Sequence, residues 1–276
     1  LRAAFKGVDL AFVNTNSFAL GIRSEIYWGI RIFDIAIESG VKHYVWSSLP
    51  NALELSGYDE NYRVGHFEGK TKVTEWMRSQ PQERMNWSVL TTGPYIDMLH
   101  ELLRPVKEGD EWVFKLPVAD GAIPFVALED IGASVKWILD HPEKSVGRNL
   151  HIAVEHASGE GIARAFTAVT GQPARYENIS KEEWLEKDTV GPHGFKLGAQ
   201  NPDNNPDDST LLTIGQNFGN WWNVYQKSGG NKGILRVDYE LLDKLLPNRL
   251  KSVEEWMRRE NYTGERRKVI QDYFGR

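Results

Sequence analysis

Short, nearly continuous apolar runs alternate along this chain with longer stretches whose apolar residues recur at helical spacing. Val8-Asp9-Leu10-Ala11-Phe12-Val13-Asn14 reads as a strand of the buried parallel type. Residues 1–7 before it look like the last turns of a helix closing at Gly7. A polar loop, Thr15-Asn16-Ser17, leads on. Ile26, Ile30, Phe33 and Ile37 then predict a helix over about 24–39, with Ser24 as its N-cap and Gly40 as its stop. The unit repeats: a strand over 42–48 ending in Ser47-Ser48, a turn-rich loop to Gly65, a helix over about 67–79, and a strand over 87–92 that breaks at Gly93-Pro94. Strand and helix alternating at this spacing imply right-handed crossovers and a parallel sheet.

Beyond residue 100 the pattern changes. Short strands are expected at 111–116, 123–126, 149–153 and 175–179, a helix from Asp130 through Leu139, and another over about 158–170 ending at Gly171. The stretch 188–233 is rich in Gly, Pro, Asn and Asp yet holds Phe218, Trp221, Trp222 and Tyr225, which suggests a long loop and a buried aromatic helix. An amphipathic helix is expected over 252–261. The expected fold class is therefore α/β, a Rossmann-like doubly wound parallel sheet with a smaller C-terminal α+β lobe. The division is a sheet domain over 1–150 and a lobe over 151–276 intertwined with it.

Composition narrows the function classes. The hydrophobic fraction, 41%, suffices for a sizeable core, and no apolar run is long enough to span a bilayer. With no cysteine there is no disulfide, thiolate metal site or cysteine nucleophile. No metal-ligand motif is present, so no metal site is assigned. The net charge of −5 and the mixing of Arg258-Arg259 and Arg266-Arg267-Lys268 with acids on an expected helix speak for a solvated face and against direct nucleic-acid binding. A cytoplasmic protein, with the nucleus as a further location, fits these features.

In a doubly wound sheet ligands sit outside the carboxyl ends of the strands. The candidates are therefore Asn14-Thr15-Asn16, Ser47-Ser48 and Thr92-Gly93-Pro94-Tyr95, although polar residues cap strand ends in every such protein. His66 and Lys70, four apart, share one helix face and could enter the same cleft. No glycine-rich turn joins a strand to a helix N-terminus, as a pyrophosphate would require, and Gly229-Gly230-Asn231-Lys232-Gly233 reads as an ordinary turn.

Three segments resemble the NmrA-like family of atypical short-chain dehydrogenases: Gly40 through Asn51 (with Lys42-His43-Tyr44-Val45-Trp46-Ser47-Ser48), His66-Phe67-Glu68-Gly69-Lys70, and Thr91-Thr92-Gly93-Pro94-Tyr95-Ile96-Asp97-Met98. They follow in family order and spacing. Where many relatives carry asparagine, this chain has Met98. Members carry a glycine-rich fingerprint and two further strands upstream. The resemblance therefore implies that this sequence is a fragment or a shortened reading of its gene. Val8–Asn14 would then lack a neighbour in the sheet, and an apolar edge of that kind invites pairing or instability.

The resemblance also implies a cofactor, NADP with NAD as the alternative, bound by Asn14, Thr15, Asn16, Ser47, Ser48, Lys70, Gly93, Pro94 and Tyr95. With only these contacts, binding by this chain is expected to be weak. Hydride-transferring short-chain dehydrogenases pair a tyrosine with a lysine. Here Lys70 matches the lysine, but His66 stands at the tyrosine position, so a catalytic pair would be Lys70 and His66. Tyr62 is a weaker substitute. Two readings stand open. One is a redox-sensing or transcription-regulating protein that acts through a protein partner such as a transcription factor. The other is an NADP-dependent oxidoreductase of a small metabolite, in which Trp221, Trp222 and Tyr225 form either a pocket floor or simply core. Monomer and homodimer remain equally open.

Overall fold

The computed structural model describes residues 1–186 and 190–269, so the expected lobe extends beyond the described residues at 187–189 and 270–276, and the loop reading at 188–233 does so at 188–189. In chain order, α1 (Arg2–Phe5) leads into β1 (Leu10–Val13), α2 (Ser17–Glu38) into β2 (His43–Ser48), and α3 (Ala52–Leu55) and α4 (Gly65–Met77) into β3 (Asn86–Thr91). A hairpin of β4 (Val106–Glu108) and β5 (Glu111–Leu116) follows, then β6 (Ile123–Pro124), α5 (Leu128–Asp140), α6 (Pro142–Ser145) and β7 (Asn149–His151). The remaining described strands and α-helices are β8 (His156–Ala157), α7 (Gly159–Thr170), β9 (Ala174–Asn178), α8 (Lys181–Glu186), α9 (Ile214–Gln226), α10 (Tyr239–Leu245) and α11 (Val253–Glu260).

The main sheet has the order β1-β2-β3-β7, and every neighbouring pair is parallel. Its two faces follow from the period-two alternation of the strands. Tyr44, Trp46, Trp87 and Val89 point to one side and pack on Phe33 and Ala36 of α2 and on Val73 and Met77 of α4. Val45 and Leu90 point to the other and pack on Ile138 of α5 and Leu242 and Leu246 of α10. Helices on both faces explain why the strands read as continuous apolar runs. The fold is α/β with a parallel sheet, as the pattern implied.

A second sheet, β4-β5-β9, and a two-strand pair, β6-β8, each join segments from either side of residue 150. β5 and β9 run parallel, with Phe114 opposite Tyr176. Behind them lies the largest core cluster, which includes Phe166 of α7, Trp184 of α8, and Trp221, Trp222 and Tyr225 of α9. The α7 boundaries are encoded locally: Ser158 caps its N-terminus by accepting from the Gly161 N–H, and Gly171 closes it at φ 70°.

Several expectations are corrected. β1 is not fully buried. It is an edge strand among the described residues, as the resemblance implied, with Leu10 and Phe12 51% and 40% exposed. The second helix starts at Ser17, not near 24, and Asn16 is its N-cap. Gly21, at φ 71°, kinks the helix in between, so the apolar spacing that begins beyond the kink marked only its second part. The Leu20 carbonyl at the kink accepts from the side-chain amides of Asn201 and Asn204 instead. The Ser24 hydroxyl, expected as a cap, donates to Asn204 Oδ1. Arg266 and Arg267 lie past the end of α11, not on a helix, and pair with Glu101 and Glu260. Arg258 and Arg259 also face carboxylates, Glu254 and Glu129. No helix among the described residues is long and apolar enough to cross a membrane.

Candidate functional site

The parallel register staggers the strand ends along one rim of the sheet. Val13 is opposite Trp46, Ser48 opposite Thr91, and Thr91 opposite His151, so Asn14, Leu49, Thr92 and Ile152 follow one another. α4 crosses beneath this rim and supplies both His66 and Lys70, which are buried on its inner side.

Lys70 meets the end of β1. Its ammonium donates to Asn14 Oδ1 at 2.9 Å, to the Thr15 carbonyl at 2.8 Å and to Thr15 Oγ1 at 3.1 Å. It also lies 3.4 Å from Glu25 Oε1 and 5.4 Å from the centre of the Trp46 ring. The Trp46 indole N–H donates in turn to the Lys70 carbonyl at 3.1 Å. Glu25, on α2, is fully buried, and its Oε1 accepts from Thr15 Oγ1 at 2.6 Å and Ser17 Oγ at 2.8 Å. Burial pulls the Lys70 ammonium below its ordinary pKa, and Glu25 pulls it back up.

The sequence reading missed Glu25. The signal was present: Glu25, Gly29, Phe33 and Ala36 fall on one helical stripe, and the other three are small or apolar. A carboxylate on a buried stripe requires a partner.

His66 stands one helical turn from Lys70 in different surroundings. It stacks on Phe18 at 4.7 Å between ring centres and meets Phe67 edge-on at 4.7 Å. Asn217 Oδ1, on α9, lies 3.0 Å from Nδ1 and also accepts the His66 backbone N–H at 3.3 Å. An amide oxygen only accepts, so Nδ1 carries the proton and Nε2 keeps its lone pair. Burial pushes the ring's pKa down to about 4, and the Lys70 charge adds to the effect. His66 is therefore neutral at pH 7, and the same burial that keeps it neutral makes it a weak base.

The sign of the pH dependence follows. The unfolded ring protonates near 6.5 and the folded ring near 4, so the neutral ring's contribution is complete above about pH 6.5 and is lost as pH falls towards 4. The loss should reach about 3 kcal/mol for this group. In urea unfolding at pH 7 and pH 5, His66→Gln should weaken the acid destabilisation relative to the unmodified chain. An unchanged acid limb would refute the assignment.

The other candidates divide. Asn14, Thr15 and Lys70 are brought into direct contact. Asn16 is committed to capping α2, accepting from the N–H groups of Phe18 and Ala19. Ser47 and Ser48 are buried within the sheet, and Ser48 Oγ accepts from Thr74 Oγ1 at 2.8 Å. Pro94 accepts the Val126 N–H, and Tyr95 bridges to Val126. A side chain at Gly93 would stand 3.0 Å from the Pro124 carbonyl. Tyr62 lies in a separate 3-10 turn, Glu60–Tyr62, and not on α4. Trp221, Trp222 and Tyr225 are core residues, at most 2% exposed.

Beside this cluster, at the carboxyl ends of β3 and β7, lies a cavity of about 340 Å³. Thr91, Thr92, Gly93 and Pro94 form one wall and residues 233–237 the opposite one, with Phe67 and Tyr225 between them. Arg236 is its charged member, and His151 and Tyr225 are its other titratable ones. Nothing in the linear sequence joined the 233–237 segment to the Thr92-Gly93-Pro94 turn.

Comparison with known proteins agrees with this fold. A model of the NmrA-like family matches residues 1–199. An NmrA-like family domain-containing oxidoreductase of Aspergillus hancockii is 28% identical over 206 residues, covering 69% of this chain and 60% of the relative. The chain thus spans about three fifths of the length of the curated relatives it matches. Among solved structures, NmrA, a negative transcriptional regulator in complex with NAD, superposes with a TM-score of 0.63 at 20% identity, covering 93% of this chain and 75% of that one. An NADPH-dependent quinone oxidoreductase of Escherichia coli, complexed with NADPH, gives 0.64 at 15% identity, covering 94% and 79%. With the family model matching more than half of its residues, the chain belongs to the NmrA-like family.

Proposed function

We propose that the protein is a nicotinamide-dinucleotide-dependent oxidoreductase acting on a small apolar molecule. The observation that carries this reading is the largely apolar cavity beside the Thr92-Gly93-Pro94 turn, where a ligand lying across the ends of β1, β2 and β3 would meet a second molecule. The donors and acceptors at the rim match the nicotinamide nucleoside end of such a cofactor. Asn14 offers an exposed amide, Thr15 a hydroxyl and Lys70 an ammonium. Among the described residues no glycine-rich turn at a helix N-terminus offers a cradle for the diphosphate, so weak binding by this chain remains the expectation.

When bound, a reduced nicotinamide would supply a hydride. The residues of this chain position and exclude. Lys70 holds the rim charged, and Pro50, Pro94, Ile152 and Val237 keep the cavity wall apolar. His66, held neutral by burial, would not serve as the acid at neutral pH and would orient its neighbours instead. Relatives named as oxidoreductases, among them an NAD(P)H azoreductase of Xenophilus azovorans, lend the reading support.

A second reading, a regulator that senses NADP or NAD and acts through a protein partner in the cytoplasm or nucleus, draws on the Lys70 cluster. Its ammonium is already filled by acceptors, and His66 is sealed behind aromatic rings, as befits a pair that binds without reacting.

The test is NADPH consumption with a panel of quinone, azo and apolar carbonyl acceptors, run beside an NADPH fluorescence titration. Ile234→Trp, which fills the cavity, is expected to lower turnover about tenfold or more, a barrier increase of about 1.4 kcal/mol, with NADPH binding unchanged. Binding with no turnover of any acceptor would favour the regulator. No saturable binding would remove both readings for this chain.

A further inference from the structure

We propose that Glu25 is the resident counter-ion of Lys70, holding it as an ammonium turned towards Asn14 and Thr15, and that Gly69 is the gap in α4 that admits it. The inference rests on the reading that Lys70 belongs to the dinucleotide site, and it makes Glu25 a positioning residue of that site.

The geometry is specific. Glu25 has no exposed surface and reaches from α2 across to α4. Its Oε1 receives two hydroxyls, Thr15 Oγ1 and Ser17 Oγ, and faces the Lys70 ammonium. Its Oε2 makes no hydrogen bond and lies against the backbone of α4. A Cβ at position 69 would stand 2.4 Å from Oε2 and 3.1 Å from both Cβ and Cδ of Glu25. Any side chain at 69 would therefore push the carboxylate away from its neighbour in sequence, Lys70. Glycine is not needed here for the backbone, since Gly69 lies within a regular helix. It is needed for the space.

The chemistry explains why a carboxylate belongs there. A desolvated ammonium without an opposite charge tends to give up its proton. The groups that face Lys70 are Glu25 from α2, the neutral His66 from its own helix, the Trp46 ring from β2, and Asn14 and Thr15 from the end of β1. Glu25 is the one negative charge among them. Thr15 couples the two ions, because its hydroxyl donates to Glu25 and accepts from Lys70. An ammonium kept charged beside the exposed Asn14 can exchange that acceptor for a ribose hydroxyl without first having to take up a proton. A pair kept only for packing would serve as well or better as two apolar residues.

The experiment follows the Lys70 side chain directly, by NMR of the protein carrying ¹³Cε-labelled lysine, with its resonance assigned by its loss in Lys70→Arg. Glu25→Gln should lower the Lys70 titration midpoint by about one pH unit or more, the effect of removing an opposite charge within about 4 Å. Gly69→Ala, made on the other helix, should move it the same way. Ser17→Ala, which leaves the carboxylate in place but loses one hydroxyl, should move it less and keeps the test open if the first variants fold poorly. A folded Glu25→Gln or Gly69→Ala protein with an unmoved midpoint overturns the proposal. NADPH titration of the same samples separates it from the functional reading. If the midpoint moves but the unmodified chain binds no NADPH, the counter-ion stands and the dinucleotide site falls. If binding is intact and the midpoint is unmoved, the counter-ion alone falls.

Discussion

Lys70→Met is expected to cost about 3–5 kcal/mol of folding stability at pH 7, the usual penalty for removing one partner of a buried ion pair. Lys70 and Glu25 are both sealed between α2 and α4, so methionine would leave the Glu25 carboxylate with two hydroxyls and no positive charge. It would also leave Asn14 Oδ1 and the Thr15 carbonyl without their common donor. The double variant Glu25→Gln/Lys70→Met should recover much of the loss, because neither charge then remains in the interior. Urea unfolding of the four proteins in this cycle reads the coupling. Additive losses, or a cost below about 1 kcal/mol for Lys70→Met, would mean that water reaches the pair and that the site is not dry. The same variants bear on function. If Lys70 holds a ribose, the double variant should be stable yet bind NADPH poorly.

Trp222→Ala should destabilise the chain by about 3–5 kcal/mol, as a large aromatic deleted from a packed core does. Trp222 has no exposed surface and touches Trp184 edge-on at 5.1 Å and Trp221 at 4.9 Å. It joins α8 and α9 to the cluster behind β5 and β9. Its indole Nε1 has no hydrogen-bond partner, so the residue carries a buried polar group at some cost. Trp222→Phe removes that orphaned donor, worth about 1–3 kcal/mol, and should offset much of the packing it loses. The ordering expected in thermal or urea unfolding is unmodified chain near Trp222→Phe, and both far above Trp222→Ala. A Phe variant as damaged as the Ala variant would place an unseen partner on the indole. Because Tyr225 of the same helix borders the cavity, Trp222→Ala should also loosen that wall.

What the chain encodes locally was legible without coordinates. β2 and β3 announced themselves as apolar runs ending in polar residues, and α7 announced its stop in Gly171. The i, i+4 spacing of His66 and Lys70 placed both on one face of α4, and the three family-like segments pointed to the fold. These features depend on period, capping and turn chemistry, all of which act over a few residues. The start of α2 was not legible, because Asn16 caps a first turn that is bent away at Gly21 and held by Asn201 and Asn204 from a loop far along the chain. Nor was the pairing of β5 with β9, the meeting of residues 233–237 with the Thr92-Gly93-Pro94 turn, or the role of Glu25. The sequence by itself determined the strands of the main sheet, most of the longer helices and which residue types stand at the rim. Only the tertiary structure decided which of those residues touch and which are dry. The physical reason is that apolar attraction has no direction, so a local pattern says that a face is buried without saying against what. A charge on such a face reads as an exception until its partner, contributed by another helix, is in place.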